Sequence, residues 1–210
     1  MYKKKFKKFG GEFIPDIVQY LKDYISERPE ITISVGCDSI QKRRKSLYAV
    51  TIMMYNHDIR NGAHVVFFRE AIPKERNTFM RLQREAQYAH DVSEYLNKEL
   101  EGFYVRKDLT PIQRKNYKYH LAVCEGKYDH VMLHNQEEFI ENISLSDYEK
   151  EQKYKLVDIH LDFNPVNGGG KNKSNLSYHS FTPWLRGMGY RVWCKNIAFA
   201  ATSAADLLLK

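Results

Sequence analysis

The chain has 210 residues, 43% of them hydrophobic, which suits one domain with an insertion and excludes a wholly disordered chain. Its longest apolar stretches are short and interrupted by charge, which argues against a membrane span, and its lysine-rich start lacks the apolar run of a secretory signal. The three cysteines, Cys37, Cys124 and Cys194, lie far apart in the sequence. This spacing predicts reduced thiols in a cytoplasmic protein rather than a disulfide framework or a zinc site.

The net charge of +7 is concentrated near the start of the chain. Five lysines lie within the first ten residues: Lys3, Lys4, Lys5, Lys7 and Lys8. Such a segment can bind a phosphate backbone through counterion release, and it can equally be a solvated, frayed terminus. We therefore divide the chain into a basic tail over residues 1–10 and a domain over residues 11–210.

The first elements are predicted as one helix and three strands. Apolar residues repeat at helical spacing over residues 14–25, and Pro15 suits a first helical turn. Alternation and β-branching predict strands over residues 31–35, 47–55 and 64–69. Asn61-Gly62 is a hairpin signal between the second and third of them. Short links between the strands predict an antiparallel meander.

A long amphipathic helix is predicted over residues 74–100, because apolar residues there repeat at spacings of three and four. Gly102 is its expected stop. Residues 105–153 show no clear period. We interpret them as an insertion in the domain, with a basic first half, an acidic second half and a modest helix candidate over residues 135–143.

Regular patterns return after the insertion. Residues 156–163 alternate as a strand, with Asp158, His160 and Asp162 on one face. A glycine-rich loop over residues 167–173 leads to a helix over 178–188 that Gly189 ends, a strand over 190–194 and a closing helix over 198–208. The loop fails the spacing of a phosphate-binding loop, since Asn172 stands where Ser or Thr is required. A nucleoside triphosphatase is therefore excluded.

Four carboxylates from separate elements can meet in this order: Asp38, Glu85, Asp162 and Asp206. If the strands that carry Asp38 and Asp162 are parallel neighbours, their ends lie roughly 5 Å apart. Clustered carboxylates repel one another and are neutralised by cations, and hard oxygen ligands favour Mg²⁺ or Mn²⁺. Each residue also has a plainer interpretation, with Asp38 as a turn cap and Glu85 as a solvated helix residue. His160 is an auxiliary candidate, either as ligand or general acid or as a satisfied, partly buried histidine.

These residues lie in motifs that resemble the YkuK-like family of the ribonuclease H-like superfamily. The matching pieces are Val35-Gly-Cys-Asp-Ser39, the stretch 81–86, His160-Leu-Asp162, Gly189-Tyr190 leading to Lys195, and the tail 200–206. The resemblance implies an α/β fold with a mixed five-stranded sheet flanked by helices, and the four carboxylates as its acidic set. Two departures are the long insertion and Asn196, where the family pattern has a proline.

Cationic residues in three places are candidates for contact with nucleic acid: Lys171 and Lys173 in the glycine-rich loop, Lys195 after the last strand, and Arg114, Lys115 and Lys118 in the insertion. The insertion residues interleave with tyrosines, a composition typical of surfaces that stack single strands. The plainer interpretations are a solvated loop, a surface lysine at a strand end and chance adjacency among 15 tyrosines.

The sequence thus predicts a divalent-metal-dependent nuclease that cleaves DNA or RNA by a two-metal mechanism, with the four carboxylates as catalytic residues and ligands of Mg²⁺ or Mn²⁺. One alternative is a non-catalytic nucleic-acid-binding or assembly module that has kept the fold. Another is a protein-interaction role carried by the insertion. A homodimer is also compatible with the sequence.

Overall fold

The computed structural model describes residues 4–56, 62–105, 154–164, 174–195, 198 and 200–209. Six strands lie in this part of the chain: β1 (Lys7–Lys8), β2 (Thr32–Lys42), β3 (Lys45–Tyr55), β4 (Ala63–Pro73), β5 (Asp158–Leu161) and β6 (Val192–Trp193). The helical elements are α1 (Ile17–Glu27), α2 (Thr78–Glu99), α3 (Ser174–Gly187), a π-helical segment (Ala200–Ala205) and α4 (Asp206–Leu209). The predicted order of strands and helices after the N-terminal segment is confirmed.

The strands form one mixed sheet in the order β1-β4-β3-β2-β5-β6. Strands β2, β3 and β4 form the predicted antiparallel meander, whereas β5 pairs parallel with β2 and β6 parallel with β5. The expected five-stranded sheet is extended by β1, which pairs with β4. Lys7 and Lys8 of the basic N-terminal segment therefore belong to the sheet, and Phe6 before them is only 1% exposed.

Strand β2 is longer than its apolar pattern predicts. The pattern ends the strand at Val35, but β2 continues to Lys42, and Asp38 is paired with Ala49 of β3. The extension is stable because the backbone of β3 pairs with the backbone of β2, whether the side chains of β2 are polar or apolar. Asp38 is therefore a residue of the strand and not of a turn that follows it.

Capping residues set the ends of the first two long helices. Asp16 precedes α1 and accepts hydrogen bonds from the backbone N–H groups of Val18 and Gln19, so Pro15 lies before the cap and not in the first turn as predicted. Asn77 caps α2 in the same way, which moves its start from the predicted residue 74 to Thr78.

The two faces of the sheet are covered differently. Helices α1, α2 and α3 pack on one face over a large apolar core, to which β2 contributes Ile33, Val35 and Cys37. On the other face Ala49 of β3 packs against Ala205 and Leu209 of the C-terminal segment. The predicted closing helix is thus found, but its first six residues form a π-helical segment.

Candidate functional site

The parallel pairing of β2 with β5 brings two of the predicted carboxylates to one end of the sheet. Gly36 is in register with His160, and Cys37 with Leu161, so Asp38 and Asp162 follow at the same level. Neighbouring strands lie about 4.8 Å apart. The predicted parallel pairing of the strands that carry Asp38 and Asp162 is confirmed. Asp162 is the first residue after β5, whereas Asp38 lies within β2.

The C-terminal segment lies directly on β2 at Gly36. A Cβ atom at this position would lie 2.5 Å from the carbonyl carbon of Ala200 and 2.5 Å from the nitrogen of Ala201. No side chain fits there, because such distances are far below van der Waals contact. The absence of a side chain at Gly36 therefore sets how closely the segment that leads to Asp206 approaches the sheet.

Both backbone polar groups of Ala200 are bound by side chains of the sheet. The Thr51 hydroxyl donates a hydrogen bond to the Ala200 carbonyl at 2.7 Å, and the Ala200 N–H donates to His160 Nδ1 at 3.1 Å. His160 is only 5% exposed. Since its Nδ1 accepts a backbone hydrogen bond, this nitrogen positions the C-terminal segment, which matches the plainer of the two interpretations of His160.

Glu85 reaches the same region from α2 and is only 1% exposed. Its Oε1 accepts a hydrogen bond from the Ser39 hydroxyl at 2.5 Å and one from Arg81 Nη1 at 3.2 Å. Arg81 also donates to the Ser39 hydroxyl and to the Ser39 carbonyl. Within the described residues, Glu85 Oε2 has no hydrogen-bond partner. A buried acceptor oxygen without a donor is costly, so this atom suits a cation.

Burial and mutual repulsion raise the pKa of Asp38, Glu85 and Asp162. The pKa of Asp38 rises to about 6, chiefly because burial disfavours its charged form, and Asp162 and Asp206 add to the rise. The pKa of Glu85 rises to about 8, mainly through burial and then through the charge of Asp38. Through these charges the four acidic groups form one electrostatic cluster.

Two cations partly offset this negative charge. Arg81 lowers the pKa of both Asp38 and Glu85, although burial and repulsion outweigh it. Lys195 Nζ lies 4.0 Å from Asp162 Oδ1 and lowers the pKa of Asp162, which burial nevertheless raises overall. The Lys195 side chain is 50% exposed, so it faces both the carboxylate and solvent.

The carboxylate side chains of this cluster do not converge on one point. Among the described residues, no three His, Cys, Asp or Glu side chains lie close enough together to hold one metal ion. Asp162 Oδ1, like Glu85 Oε2, is enclosed and accepts no hydrogen bond from the described residues. The buried carboxylate oxygens thus fit a hard divalent cation in their chemistry and their burial.

The sequence patterns did not reveal Ser39 and Arg81 as supports of Glu85, nor Gly36 and Thr51 as contacts of the C-terminal segment. One signal was present, because Arg81 precedes Glu85 by four residues on a helix, a spacing that brings side chains together. The contact of Ser39 with Glu85 joins residues 46 positions apart, which periodicity does not reach.

The model of the ribonuclease H-like family matches residues 14–210. The chain belongs to this family. No curated protein and no solved structure matches the chain. In this ribonuclease H-like chain, the matched region contains every element from α1 to α4 and all four predicted carboxylates. Family membership indicates a nuclease-type or nucleic-acid-related function.

Several predicted contacts of this ribonuclease H-like chain lie outside the described residues: Lys171, Lys173, Arg114, Lys115, Lys118 and the insertion from residue 106 to 153. Their roles stay predictions. None of the helices in the described ranges has the length and apolar character that crossing a membrane requires.

Proposed function

We propose that this chain hydrolyses phosphodiester bonds in nucleic acid with the help of a divalent cation. The single observation that carries the proposal is the buried Glu85 Oε2, which accepts no hydrogen bond from the described residues and lies in one electrostatic cluster with Asp38 and Asp162. Burying several carboxylates together is unfavourable unless protons or cations neutralise them. An arrangement with this cost is typical of a functional site.

The donor set supports Mg²⁺ or Mn²⁺, since it offers carboxylate oxygens and no cysteine sulfur. Bound between these carboxylates, such ions activate water and stabilise the leaving oxygen of a phosphodiester. Asp38 within β2 and Asp162 after β5 would hold the ions. Glu85 and Asp206 would complete the ligand set from the opposite faces of the sheet.

The neighbouring residues would orient these ligands and the substrate. Ser39 and Arg81 hold Glu85 Oε1, so that Oε2 is directed away from them. Lys195, half exposed beside Asp162, would contact a phosphate of the substrate. The narrower resemblance to the YkuK-like family belongs to this proposal, and so does a homodimer or a protein partner bound through the insertion.

Replacement of Asp162 by Asn tests the proposal. The change removes one charge and one strong ligand while keeping the size of a side chain that is 28% exposed, so we expect the fold to remain and metal-dependent cleavage to disappear. The measurement is cleavage of labelled single-stranded, duplex, hybrid and branched DNA and RNA with Mn²⁺ or Mg²⁺. Circular dichroism melting checks the fold.

The matched control is Asp23→Asn, which changes the same side chain on the exposed surface of α1. It should cleave as the native protein does. Equal cleavage by Asp162→Asn and the native protein would contradict the assignment.

A second candidate is a nucleic-acid-binding module without catalysis. It is favoured by the finding that no three of the described potential ligands lie close enough to hold one ion. This candidate predicts binding that weakens steeply with salt, no product with any divalent cation, and equal binding by the native protein and by Asp38→Asn/Asp162→Asn.

A further inference from the structure

A groove of about 360 Å³ lies at the β1–β4 edge of the sheet, away from the carboxylates. It is lined by cationic and aromatic side chains, mainly Lys4, Lys5, Lys7, Phe13, Phe67 and Arg69. Its volume falls within the range of small-molecule pockets and therefore admits a nucleobase with its sugar. No acidic residue belongs to its lining.

Of the aromatic side chains that line this groove, Phe67 is buried and Phe13 is open to solvent. Phe13 is 55% exposed, and the neighbouring Phe9, whose ring centroid lies 5.9 Å from that of Phe67, is 47% exposed. Burial in the core does not account for rings this exposed. Clustered exposed rings beside cations mark a surface that binds flat partners.

Cations lie over these rings. Lys7 Nζ is 4.3 Å from the centroid of the Phe13 ring, and Arg69 Cζ is 5.9 Å from that of Phe67. Lys4 is paired with Glu70, but within the described residues no carboxylate lies within 4.0 Å of the cationic groups of Lys5, Lys7 or Arg69. The groove thus offers uncompensated positive charge together with faces for stacking.

The groove shares one face of the sheet with Asp38. Asp38 is paired with Ala49, and Ala49 with Arg69, so these residues form one row across three strands. Two strand spacings separate Asp38 from Arg69, about 10 Å. Helix α4 packs over Ala49 in this row, and Arg69 Nη1 donates to the carbonyl of Leu208 at its end.

We propose that this groove binds a single-stranded stretch of nucleic acid and guides it past α4 toward the acidic end of β2 and β5. The inference rests on the proposed nucleic-acid function and names the form of substrate it takes. Single strands expose both their phosphates and the faces of their bases. Lys5, Lys7 and Arg69 would contact the phosphates. Phe9 and Phe13 would stack on the bases. Paired bases in a duplex are stacked on one another and cannot use these rings.

The test is the affinity of the full chain for a short fluorescent oligothymidylate, measured by anisotropy in EDTA so that no cleavage occurs. In Lys7→Gln/Phe13→Ala, the affinity should fall at least about tenfold, because one stacked base and one phosphate contact are lost. In Lys5→Gln/Lys7→Gln, the slope of log affinity against log salt should decrease by about 1.4.

The chain offers a matched control. Lys22 Nζ lies 5.4 Å from the ring centroid of Phe103, which is 43% exposed, on a different part of the surface. Lys22→Gln/Phe103→Ala therefore removes the same kind of contact with the same change of charge. Its affinity for the oligonucleotide should equal that of the native protein, and melting curves of both double variants check the fold.

Three results would overturn the proposal: no binding of the oligonucleotide by the native protein, equal binding by Lys7→Gln/Phe13→Ala, or polyglutamate that competes as well as the oligonucleotide does. The last result would assign the groove to an acidic protein segment. Binding is measured in EDTA and cleavage with Mn²⁺ or Mg²⁺, so the two proposals fail separately. A native protein that binds the oligonucleotide but gives no product would retain this proposal and contradict the nuclease.

Discussion

Helix α2 carries Glu85 and Glu94, and the environments of these two glutamates differ. Burial raises the pKa of Glu85 to about 8, whereas hydrogen bonds from Lys155 and Tyr190 lower the pKa of Glu94. The pKa shifts of these two side chains thus have opposite signs, although both residues lie on one helix. Their contrast permits a test of the acidic cluster that needs neither substrate nor metal.

Replacement of Glu85 by Gln should stabilise the metal-free protein at alkaline pH. The unfolded chain releases the Glu85 proton near pH 4.5 and the folded chain near pH 8, so the free energy of unfolding of the native protein falls as the pH rises between these values. Gln keeps the neutral form throughout. At pH 8 we expect the variant to be more stable by at least about 1 kcal/mol, roughly 2–4 °C in Tm, with no difference near pH 4.

Glu94→Gln is the control for this measurement, and its effect has the opposite sign. A lowered pKa stabilises the fold above the pKa of the unfolded chain, so removal of Glu94 should decrease Tm at neutral pH, and this effect should disappear as the pH falls through the pKa of Glu94 in the folded protein. The readout is thermal unfolding in EDTA across this pH range. A Glu85→Gln variant that is less stable than the native protein at pH 8 would show that the charged carboxylate is stabilised without metal.

At the scale of elements, the C-terminal segment is held on the sheet mainly by close approach and hydrogen bonds. The backbone of Ala200 is bound by Thr51 and His160, and Gly36 leaves room for it. The described apolar contacts on this face are few compared with those on the opposite face. The position of Asp206 therefore depends on this docking.

Gly36→Ala should displace the C-terminal segment while leaving the rest of the sheet folded. The added methyl group meets backbone atoms at 2.5 Å, which cannot rotate away, so we expect a loss of about 1–3 kcal/mol in stability. Hydrogen exchange should increase over the region from residue 198 to 209, and metal-dependent cleavage should fall with the displacement of Asp206.

Gly187→Ala is the matched control, because a Cβ atom at Gly187 meets nothing within 4 Å and the residue ends α3. It should keep native stability and native exchange in the C-terminal segment. Unchanged exchange in Gly36→Ala would mean that the segment docks independently of this glycine.

The elements were predictable where their periods were long and regular. Residues 74–100 carry an apolar stripe over six turns, and α2 is found there. Strand β1 was not predictable, because Lys7 and Lys8 have no apolar pattern and join the sheet only by pairing with β4. The π-helical segment was also missed, because the small residues over 200–205 have no spacing that distinguishes it from an α-helix.

At the scale of the molecule, the candidate site was predictable only where its residues lie in elements with a regular pattern. Alternation in residues 156–163 put Asp162 on a polar face, whereas the parallel pairing of β5 with β2 was only a condition of the sequence argument, which the structure meets. The support of Glu85 by Ser39 and Arg81 depends on packing between α2 and β2. Contacts of this kind join distant parts of the chain and leave no pattern in either part alone.

The whole molecule should respond to a divalent cation through its stability. A ligand that binds only the folded state stabilises it by about 2.7 kcal/mol at a concentration one hundred times its Kd, roughly 5–11 °C in Tm for a domain of this size. Protons compete for the same oxygens, and the pKa of Asp38 is about 6 and that of Glu85 about 8. The rise in Tm with Mn²⁺ should therefore be small at pH 5.5 and grow toward pH 8. Asp38→Asn/Asp162→Asn should lose it, and an equal rise in that variant would mean that Mn²⁺ binds elsewhere.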